Sequence, residues 1–263
     1  MSVGNVLAVN ALVLVATFLI AWLIALKLRD VTFIDSLWAI GMVVMAASTL
    51  VQTHGDPARK GLLMGLCAIW GVRLGVYLLN RWRNHGPDRR YEKMFANAQE
   101  KRGWGFAKAS LLLVFATQAP LLFVVCLPVQ LGQIDAGPPV GALGIAGVAV
   151  AVIGIAFETI GDAQLTRFRR DPANAGQVMD RGLWRYTRHP NYFGDACTWW
   201  GLYLIAAETT TGLWALPGPV LLTWTLMKWS GVPTTEGRMK RKKPGYEDYV
   251  RRTSGFVPWW PKG

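Results

Sequence analysis

The chain has 263 residues and a formal net charge of +12 at pH 7. Hydrophobic residues make up 52% of it, charged residues only 17%, and the mean hydropathy is +0.26. A chain this apolar is neither a disordered tail nor a soluble nucleic-acid-binding module, since its surface could not stay hydrated, and it indicates a membrane protein.

Seven apolar segments predict that the chain crosses a membrane repeatedly. Residues 4–26 contain no charged residue and exceed the roughly 20 apolar residues that a spanning helix needs. No basic residue precedes this segment, so we interpret it as a transmembrane helix and not as a cleaved signal peptide. The remaining predicted spans are residues 33–51, 61–80, 109–128, 140–161, 193–208 and 212–231. The expected fold is all-α, a single membrane domain (1–263) with seven transmembrane helices.

The lysines and arginines are distributed unevenly between the connecting segments. Threading the seven spans places all of them on one side of the membrane, except Arg59, Lys60 and Arg73. The positive-inside tendency makes that side cytoplasmic, so the N-terminus faces outward and the C-terminus inward. The expected location is a bacterial inner membrane, with a cytoplasmic face formed by the loops 81–108 and 162–192 and the tail 232–263.

Ionisable side chains also occur inside the predicted spans, where they usually face the bundle interior and mark a site. Asp35, near the start of the second span, is either such an acid or a helix cap at the membrane boundary. Glu158 and Asp162 share one helical face and could neutralise an arginine of a neighbouring helix, in a site or in a purely structural network. A polar stripe follows the third span, with Trp70, Arg73, Tyr77, Asn80, Arg81 and Asn84.

The densest group of polar residues lies in residues 162–196. Arginine forks suit phosphate, aromatic faces suit a purine ring, and a helix start at Pro190 offers free backbone N–H groups. A basic stripe that lies on anionic lipid head groups is the alternative. The candidate ligand-binding residues are Arg167, Arg169, Asn174, Arg185, Tyr186, Arg188, His189, Asn191, Tyr192 and Asp195, joined by Glu236, Arg238, Tyr246 and Tyr249 of the tail.

Other residue types point to packing. Cys67, Cys126 and Cys197 have no metal-ligand spacing, so we expect no metal site. No nucleic-acid docking motif is present, so nucleic acid is not an expected partner. Glycines in the fifth span predict close helix packing and not a nucleotide loop, which would need a preceding strand. These glycines are Gly141, Gly144, Gly147 and Gly154.

Taken together, these motifs resemble the steroid 5-alpha-reductase family in its bacterial branch. The resemblance rests on "WGVRLGVYLLNRWR" in the third span, the acids Glu158 and Asp162, "GLWRYTRHPNYFGD" before the sixth span and "PGYEDYVRRTSGFVPW" in the tail. It covers nearly the whole chain beyond the first span. It implies a seven-helix membrane enzyme that uses NADPH to reduce the C4=C5 double bond of a 3-oxo-4-ene steroid.

The resemblance also implies roles for single residues. Asn191 and Asp195 match the Asn and Glu of the family's N-x-x-G-E element. Asp35 is the one acid placed to replace a Gln-Glu pair that mammalian members carry in the second span. Trp70 stands where those members have a Tyr. Further matches to cofactor-binding positions are Arg73, Arg83, Glu158, Asp162 and Arg238.

These roles combine into one mechanistic hypothesis. NADPH binds to the cytoplasmic loops and tail, while an apolar enone or steroid enters from the membrane lipids. Reduction develops negative charge on the ketone oxygen. Asp35, kept protonated by burial, would donate a hydrogen bond to that oxygen, with Tyr77 or the Trp70 indole in support. We expect the protein to act as a monomer.

Two other functional classes remain open. Membrane methyltransferases of isoprenylcysteine and phospholipid type carry an element similar to "RHPNY" and use S-adenosylmethionine, which needs less phosphate-binding charge. A non-catalytic lipid-binding or transport protein would explain the helices and the basic faces. It would leave the mixture of Asn, Tyr and His side chains unexplained.

Overall fold

The fold is given by a computed structural model that describes residues 2–262. Within these residues every regular element is a helix, apart from an isolated parallel bridge between Thr187 and Ser254. In chain order the helices are α1 (Val3–Leu28), α2 (Ile34–Gln52), α3 (Pro57–His85), α4 (Arg89–Arg102), α5 (Phe106–Ser110), α6 (Ala116–Val125), α7 (Leu127–Leu131), α8 (Ala142–Arg170), α9 (Pro190–Ala206), α10 (Thr210–Leu213), α11 (Pro217–Trp224), α12 (Val232–Lys242) and α13 (Tyr246–Arg252).

Five helical stretches are long and apolar enough to cross a membrane: α1, α2, α3, Phe106–Val125 and α8. The stretch Phe106–Val125 joins α5 to α6 through a π-helical turn, Leu111–Phe115. Large hydrophobic side chains point outward from these helices, for example Leu12 and Ile145, which are 70% and 66% exposed. The protein is therefore an all-helical, multi-pass membrane protein, in agreement with its composition.

The last two predicted spans differ from the expectation. α9 has 17 residues and starts at Pro190. The segment predicted as the seventh span breaks into α10, α11 and a π-helical turn, Thr225–Trp229. Pro217 begins α11, since proline has no N–H to donate inside a helix and is tolerated in its first turn. Five predicted spans are confirmed, and a continuous seventh helix is not formed.

The ends of the long helices meet in two groups. At one end the Trp82 indole of α3 donates a hydrogen bond of 2.7 Å to Asp30, which lies between α1 and α2. We call this end the basic end, because the arginine-rich segments adjoin it. At the opposite end the Glu208 carboxylate accepts hydrogen bonds from the first backbone N–H groups of α8, at Gly141 and Gly144, and lies 3.5 Å from the buried Arg59.

Helices α8 and α9 approach each other at glycines. A Cβ atom on Gly154 would lie 2.5 Å from the carbonyl oxygen of Gly194, and one on Gly147 would lie 2.6 Å from that of Gly201. Such distances leave no room for a side chain, so the two backbones are in direct contact. The predicted close packing is confirmed for Gly147 and Gly154.

Two segments predicted as loop and tail also contain helices. α4 begins after Asp88, whose side chain accepts a hydrogen bond from the N–H of Arg90 and caps the helix. α12 and α13 form most of the tail. These polar helices lack the long apolar stretch by which the spans were predicted.

The glycine contact predicts a difference between two alanine variants. Gly154→Ala should lower the stability by about 1–3 kcal/mol through overpacking against α9. Gly65→Ala is the matched control, because its methyl group would meet nothing within 4 Å. It should be neutral or should gain up to about 1 kcal/mol of helix propensity. Thermal unfolding in detergent measures both, and equal midpoints would contradict the packing argument.

Candidate functional site

A cluster of charged side chains lies between α3, α8 and α9. The Arg73 guanidinium of α3 is 2.5 Å from Glu158 Oε2 and 2.8 Å from Asp162 Oδ2. The Trp70 indole N–H donates to the same Glu158 oxygen at 2.8 Å. Asn191 of α9 donates to Asp162 Oδ1 at 3.4 Å. We call these five residues, together with Asp195, the acid–arginine cluster.

The helical period explains why these residues meet. Trp70 and Arg73 are three residues apart on α3, and Glu158 and Asp162 are four apart on α8, so each pair occupies one helical face. Both acids are buried, with 3% and 4% exposure. Removing the partner of a buried charge typically costs about 3–5 kcal/mol, so Arg73 holds α3 against α8 as well as balancing charge.

Asp195 gives the cluster a third carboxyl group. Its neighbour Gly194 lies so close to α8 that an added Cβ would be 2.6 Å from the backbone nitrogen of Glu158. Asp195 Oδ1 is buried without a hydrogen-bond partner within residues 2–262. The cluster thus sets three carboxyl groups against the one guanidinium of Arg73, which leaves an excess of acid in a buried position.

Asp35 lies apart from this cluster. Its carboxylate is 3.2 Å from the Arg81 guanidinium and 3.4 Å from that of Arg90, and the Tyr91 hydroxyl donates to it at 3.2 Å. Arg81, Arg90 and Tyr91 thus occupy this carboxyl group, whereas the sequence hypothesis requires it to donate a hydrogen bond to a ketone oxygen. Asp35 does not cap its helix, whose N-cap residue is Phe33, and its role at the ketone stays a prediction.

Three arginines converge at the basic end. Arg169, in the last turn of α8, is close enough to Arg81 of α3 and to Arg238 of α12 for each to repel its charge, and Arg81 also contacts Asp35. Tyr77 adjoins Arg169. Neither Arg169 nor Arg238 forms an ion pair within residues 2–262, and both are exposed. We call Arg81, Arg169 and Arg238 the arginine group.

The tail is fastened to the 162–192 segment by a second set of polar contacts. Arg188 Nε donates to Glu236 at 2.8 Å, and its Nη1 donates to the carbonyl oxygens of Val250 and Thr253 at 3.2 and 2.5 Å. His189 Nε2 lies 3.2 Å from the same Glu236 oxygen. We call Arg188, His189 and Glu236 the loop–tail latch.

Burial and hydrogen bonding act in opposite directions on Glu236. Burial alone would raise the pKa of its carboxyl group. Hydrogen bonds from His189 and Arg188, with the attraction of their charges, outweigh this effect and lower the pKa to about 2. The latch therefore depends on an ionised Glu236.

Aromatic side chains extend the loop–tail contact. The Tyr249 hydroxyl donates to the Trp184 carbonyl oxygen at 2.5 Å. Tyr192 stacks on His189 with ring centres 5.2 Å apart, and Tyr186 meets Trp260 edge-on at 5.5 Å. Tyr246 is buried beside these groups, and burial raises the pKa of its hydroxyl to about 12. These candidate ligand-binding residues are engaged in holding the tail.

The remaining predicted site residues occupy the surface of the basic end. Asn174 donates to the Phe168 carbonyl oxygen at 3.0 Å and thereby caps the end of α8. The side chains of Asn80, Arg83, Arg167 and Arg185 are exposed. The structure does not bring these four into the acid–arginine cluster.

Sequence reasoning missed three residues next to the predicted ones. Arg90 and Tyr91 bind Asp35, but nothing in the spacing of a loop could have linked them to the second span. Trp199, whose ring centre is 5.3 Å from that of Trp70, follows Asp195 by four residues on α9. That helical interval is a signal that could have identified it.

Comparisons with known proteins identify a family. A family model described as "Protein of unknown function (DUF1295)" matches residues 21–253. An uncharacterized protein of Schizosaccharomyces pombe is 29% identical over 101 residues, a match that covers 35% of this chain and 27% of the yeast protein. The chain thus spans 27% of that relative's length. No solved structure matches.

We expect low pH to break the loop–tail latch and so to detach the tail from the 162–192 segment. Glu236 has a pKa of about 2 in the fold against an ordinary value of 4.5, so the latch contributes stability that is complete above about pH 4.5 and is lost as the pH falls toward 2. We expect an acid-active protease to cut residues 232–262 increasingly fast over that range, as measured by mass spectrometry of the fragments.

The uncharged variant Glu236→Gln is the control for this experiment. It lacks the titrating carboxylate, so its tail should be cut at a rate that changes little across the same pH range. A wild-type rate that is equally flat, once the protease's own pH profile is divided out, would contradict the role of the latch.

Proposed function

Since the chain belongs to the DUF1295 family, a family described by no activity, we propose its function from the site itself: NADPH-dependent reduction of the carbon–carbon double bond of an apolar enone, such as a 3-oxo-4-ene steroid, inside the membrane. The resemblance to steroid 5-alpha-reductases supports this proposal in its motifs. The geometry supports it in the relation between the arginine group and the acid–arginine cluster.

The arginine group is the observation that carries the proposal. Like charges repel, so the guanidinium groups of Arg169 and Arg238, unpaired within residues 2–262 and gathered beside Arg81, are stabilised when a polyanion binds between them. Arginine forks match phosphate oxygens in pairs. A dinucleotide phosphate supplies several such oxygens at once, which a single lipid phosphate does not.

Some of the predicted cofactor-binding residues have side chains free to bind NADPH, and others are already engaged within the protein. Arg169 and Arg238 have guanidinium groups free for phosphate, and Tyr77 offers a hydroxyl beside them. Arg188 and His189 are engaged by Glu236, so their contribution is indirect: they keep α12, and with it Arg238, against the rest of the protein. The predicted cofactor-binding set thus divides into residues that bind and residues that hold the tail.

A stripe of α3 connects the arginine group with the buried cluster. Arg73, Tyr77 and Arg81 follow one another at intervals of four residues, or about 6 Å each along the helix axis. A ligand bound by its phosphates at Arg81 has Tyr77 and then Arg73 ahead of it toward the membrane interior. The reacting end of the cofactor would lie near the acid–arginine cluster.

The chemistry divides between the cofactor and the protein. NADPH supplies a hydride when bound. The chain's part is to exclude water and to stabilise the negative charge that develops on the ketone oxygen. One preorganised donor of this kind is commonly worth about 10²–10³ in rate. The Trp70 indole already donates to Glu158, and the Asp35 carboxyl group contacts arginine. We therefore expect the donor to the ketone oxygen to be another group of the acid–arginine cluster.

The location follows from charge and from the two ligands. We propose that the basic end faces the cytoplasm of a bacterial cell, where nucleotides are available, in line with the positive-inside tendency. The apolar enone dissolves in the lipid and reaches the bundle laterally, between helices. Two further α-helical crossings, formed around α9 and α11, would complete a seven-span topology.

A methyltransferase that uses S-adenosylmethionine is the second candidate. The excess of carboxyl groups in the acid–arginine cluster favours it, because three carboxyl groups beside one guanidinium could hold a sulfonium cation. The arginine group argues against it, since S-adenosylmethionine has no phosphate.

The bound nucleotide distinguishes these functions. We expect mass spectrometry of the denatured, freshly purified protein to detect NADP(H). S-adenosylmethionine or its demethylated product would instead support the methyltransferase. If neither is found, and titration with NADPH shows no binding, the proposed reductase is wrong.

The arginine group predicts the affinity of two variants. Arg169→Ala and Arg238→Ala each remove charged hydrogen bonds worth about 1.5–3 kcal/mol, which corresponds to a roughly tenfold to hundredfold weaker binding of NADPH. Lys240→Ala is the matched control, since Lys240 is an exposed cation on the same helix as Arg238. Equal losses in all three variants would show that only general charge matters.

A further inference from the structure

Two buried polar atoms on one face of α9 lack partners. They are Oδ1 of Asp195 and Nε1 of Trp199, neither of which has a hydrogen-bond partner within residues 2–262. The two residues are four apart, so their side chains project from the same side of the helix. Buried polar groups are normally satisfied, so a pair left open on one face indicates a place where a ligand binds.

The indole of Trp199 lies against the acid–arginine cluster. Its side chain is 0% exposed, and it packs edge-on to Trp70, whose own N–H is used by Glu158. An indole nitrogen is a donor only. The open position therefore requires an acceptor atom on the ligand.

The carboxyl groups of the cluster differ in how well a negative charge on them is stabilised. Glu158 accepts from Trp70 and contacts Arg73. Asp162 accepts from Arg73 and Asn191. Asp195 has no such donor within the residues that the structure describes.

The charge count places a proton in this cluster. Three carboxyl groups share the one guanidinium of Arg73, and the backbone contact of α8 with α9 at Gly154 and Gly194 holds them close together. Two neighbouring carboxylates disfavour the ionisation of a third carboxyl group, so at least one of the three keeps its proton. Asp195, which accepts no hydrogen bond from residues 2–262, is the group that keeps it best. A protonated Asp195 is then a second donor beside the Trp199 N–H.

We propose that protonated Asp195 and the Trp199 indole together bind the carbonyl oxygen of the substrate, an assignment that rests on the proposed reductase function. Two donors on one helical face can reach the same ligand oxygen, which is the arrangement that stabilises a developing oxyanion. A carboxylic acid held neutral by an apolar site is a known way to provide such a donor. The ligand class is a neutral, apolar molecule with a conjugated ketone.

The proton and the electrons balance as follows. Hydride reaches the carbon beta to the ketone, the C=C electron pair moves to the bond next to the carbonyl carbon, and the C=O pair moves to oxygen. The Asp195 proton passes to that oxygen, which gives an enol and leaves a carboxylate. The enol then takes a proton from water at its alpha carbon, which releases hydroxide to the solvent, and returns its O–H proton to the Asp195 carboxylate. The substrate gains one hydride and one proton, and Asp195 is regenerated.

Infrared spectroscopy of the ligand-free protein tests the first half of the proposal. Wild-type protein at pH 7 should show the carbonyl stretch of a protonated carboxylic acid that shifts in heavy water. Asp195→Asn should lose this band. Cys197→Ala, a change on the same helix, is the control and should keep it. If the band is absent from the wild type, or survives in Asp195→Asn, the assignment of the proton to Asp195 is overturned.

Absorption spectroscopy of a bound enone tests the second half. Testosterone added without cofactor should show its enone band at longer wavelength when it binds, because donors to the carbonyl stabilise the excited state. Asp195→Ala and Trp199→Phe should each reduce the shift and weaken binding roughly fivefold to hundredfold, as expected for one buried hydrogen bond. Cys197→Ala should match the wild type. A wild type without a shift, or a shift unchanged in both variants, overturns the proposal.

Different measurements test the reductase function and the carbonyl-binding role of Asp195 and Trp199. Neither spectrum involves NADPH, so a protein that passes both tests but binds no NADPH would refute the reductase and keep the carbonyl site. A protein that binds NADPH but fails both tests would keep the reductase and refute the role of Asp195. Size-exclusion profiles of each variant exclude misfolding as the cause of a lost signal.

Discussion

The direct contact between the backbones of α8 and α9 is the constraint on which the rest of the site depends. Because Gly154 and Gly194 have no side chains, the polar groups next to them are brought into one interface. Those groups include Glu158 of α8 and Asp195 of α9. A third helix must then supply donors at matching heights, and α3 does so with Arg73 and Trp70. Helix packing thus determines which charges meet, and the charges in turn hold α3 in place.

The positive charge of the chain serves two separate purposes at the basic end. Arg188 is paired with Glu236 and donates to carbonyl oxygens of the tail, so it contributes to the shape of the protein more than to its free charge. Arg169 and Arg238 have no such partners within residues 2–262 and raise the local positive potential. The contacts of Arg188 hold the tail in place, and the docked tail brings α12, with Arg238, near Arg169 of α8.

The sequence patterns correctly predicted which residues share a face of one helix. They did not predict which separate segments contact each other. The three- and four-residue intervals correctly placed Trp70 with Arg73 and Glu158 with Asp162. Those intervals identify a face but not the helix that covers it. For this reason no sequence pattern indicated that Asp35 is bound by Arg90 from a separate polar helix. Likewise, the sequence shows no difference between the arginines that lie near aromatic residues. The tertiary contacts divide them into the loop–tail latch and the arginine group.

We propose that the acid–arginine cluster is a binding site and not only structural support. A buried ion pair is often no more stabilising than well-packed apolar side chains, and an additional unpaired carboxyl group adds a cost of desolvation. A structural network would need only as many acids as Arg73 can neutralise. The third carboxyl, on Asp195, and the unused N–H of Trp199 add polar capacity that residues 2–262 leave unsatisfied. Groups that the fold does not satisfy are available to a ligand, and these two lie one helical turn apart on the same face of α9.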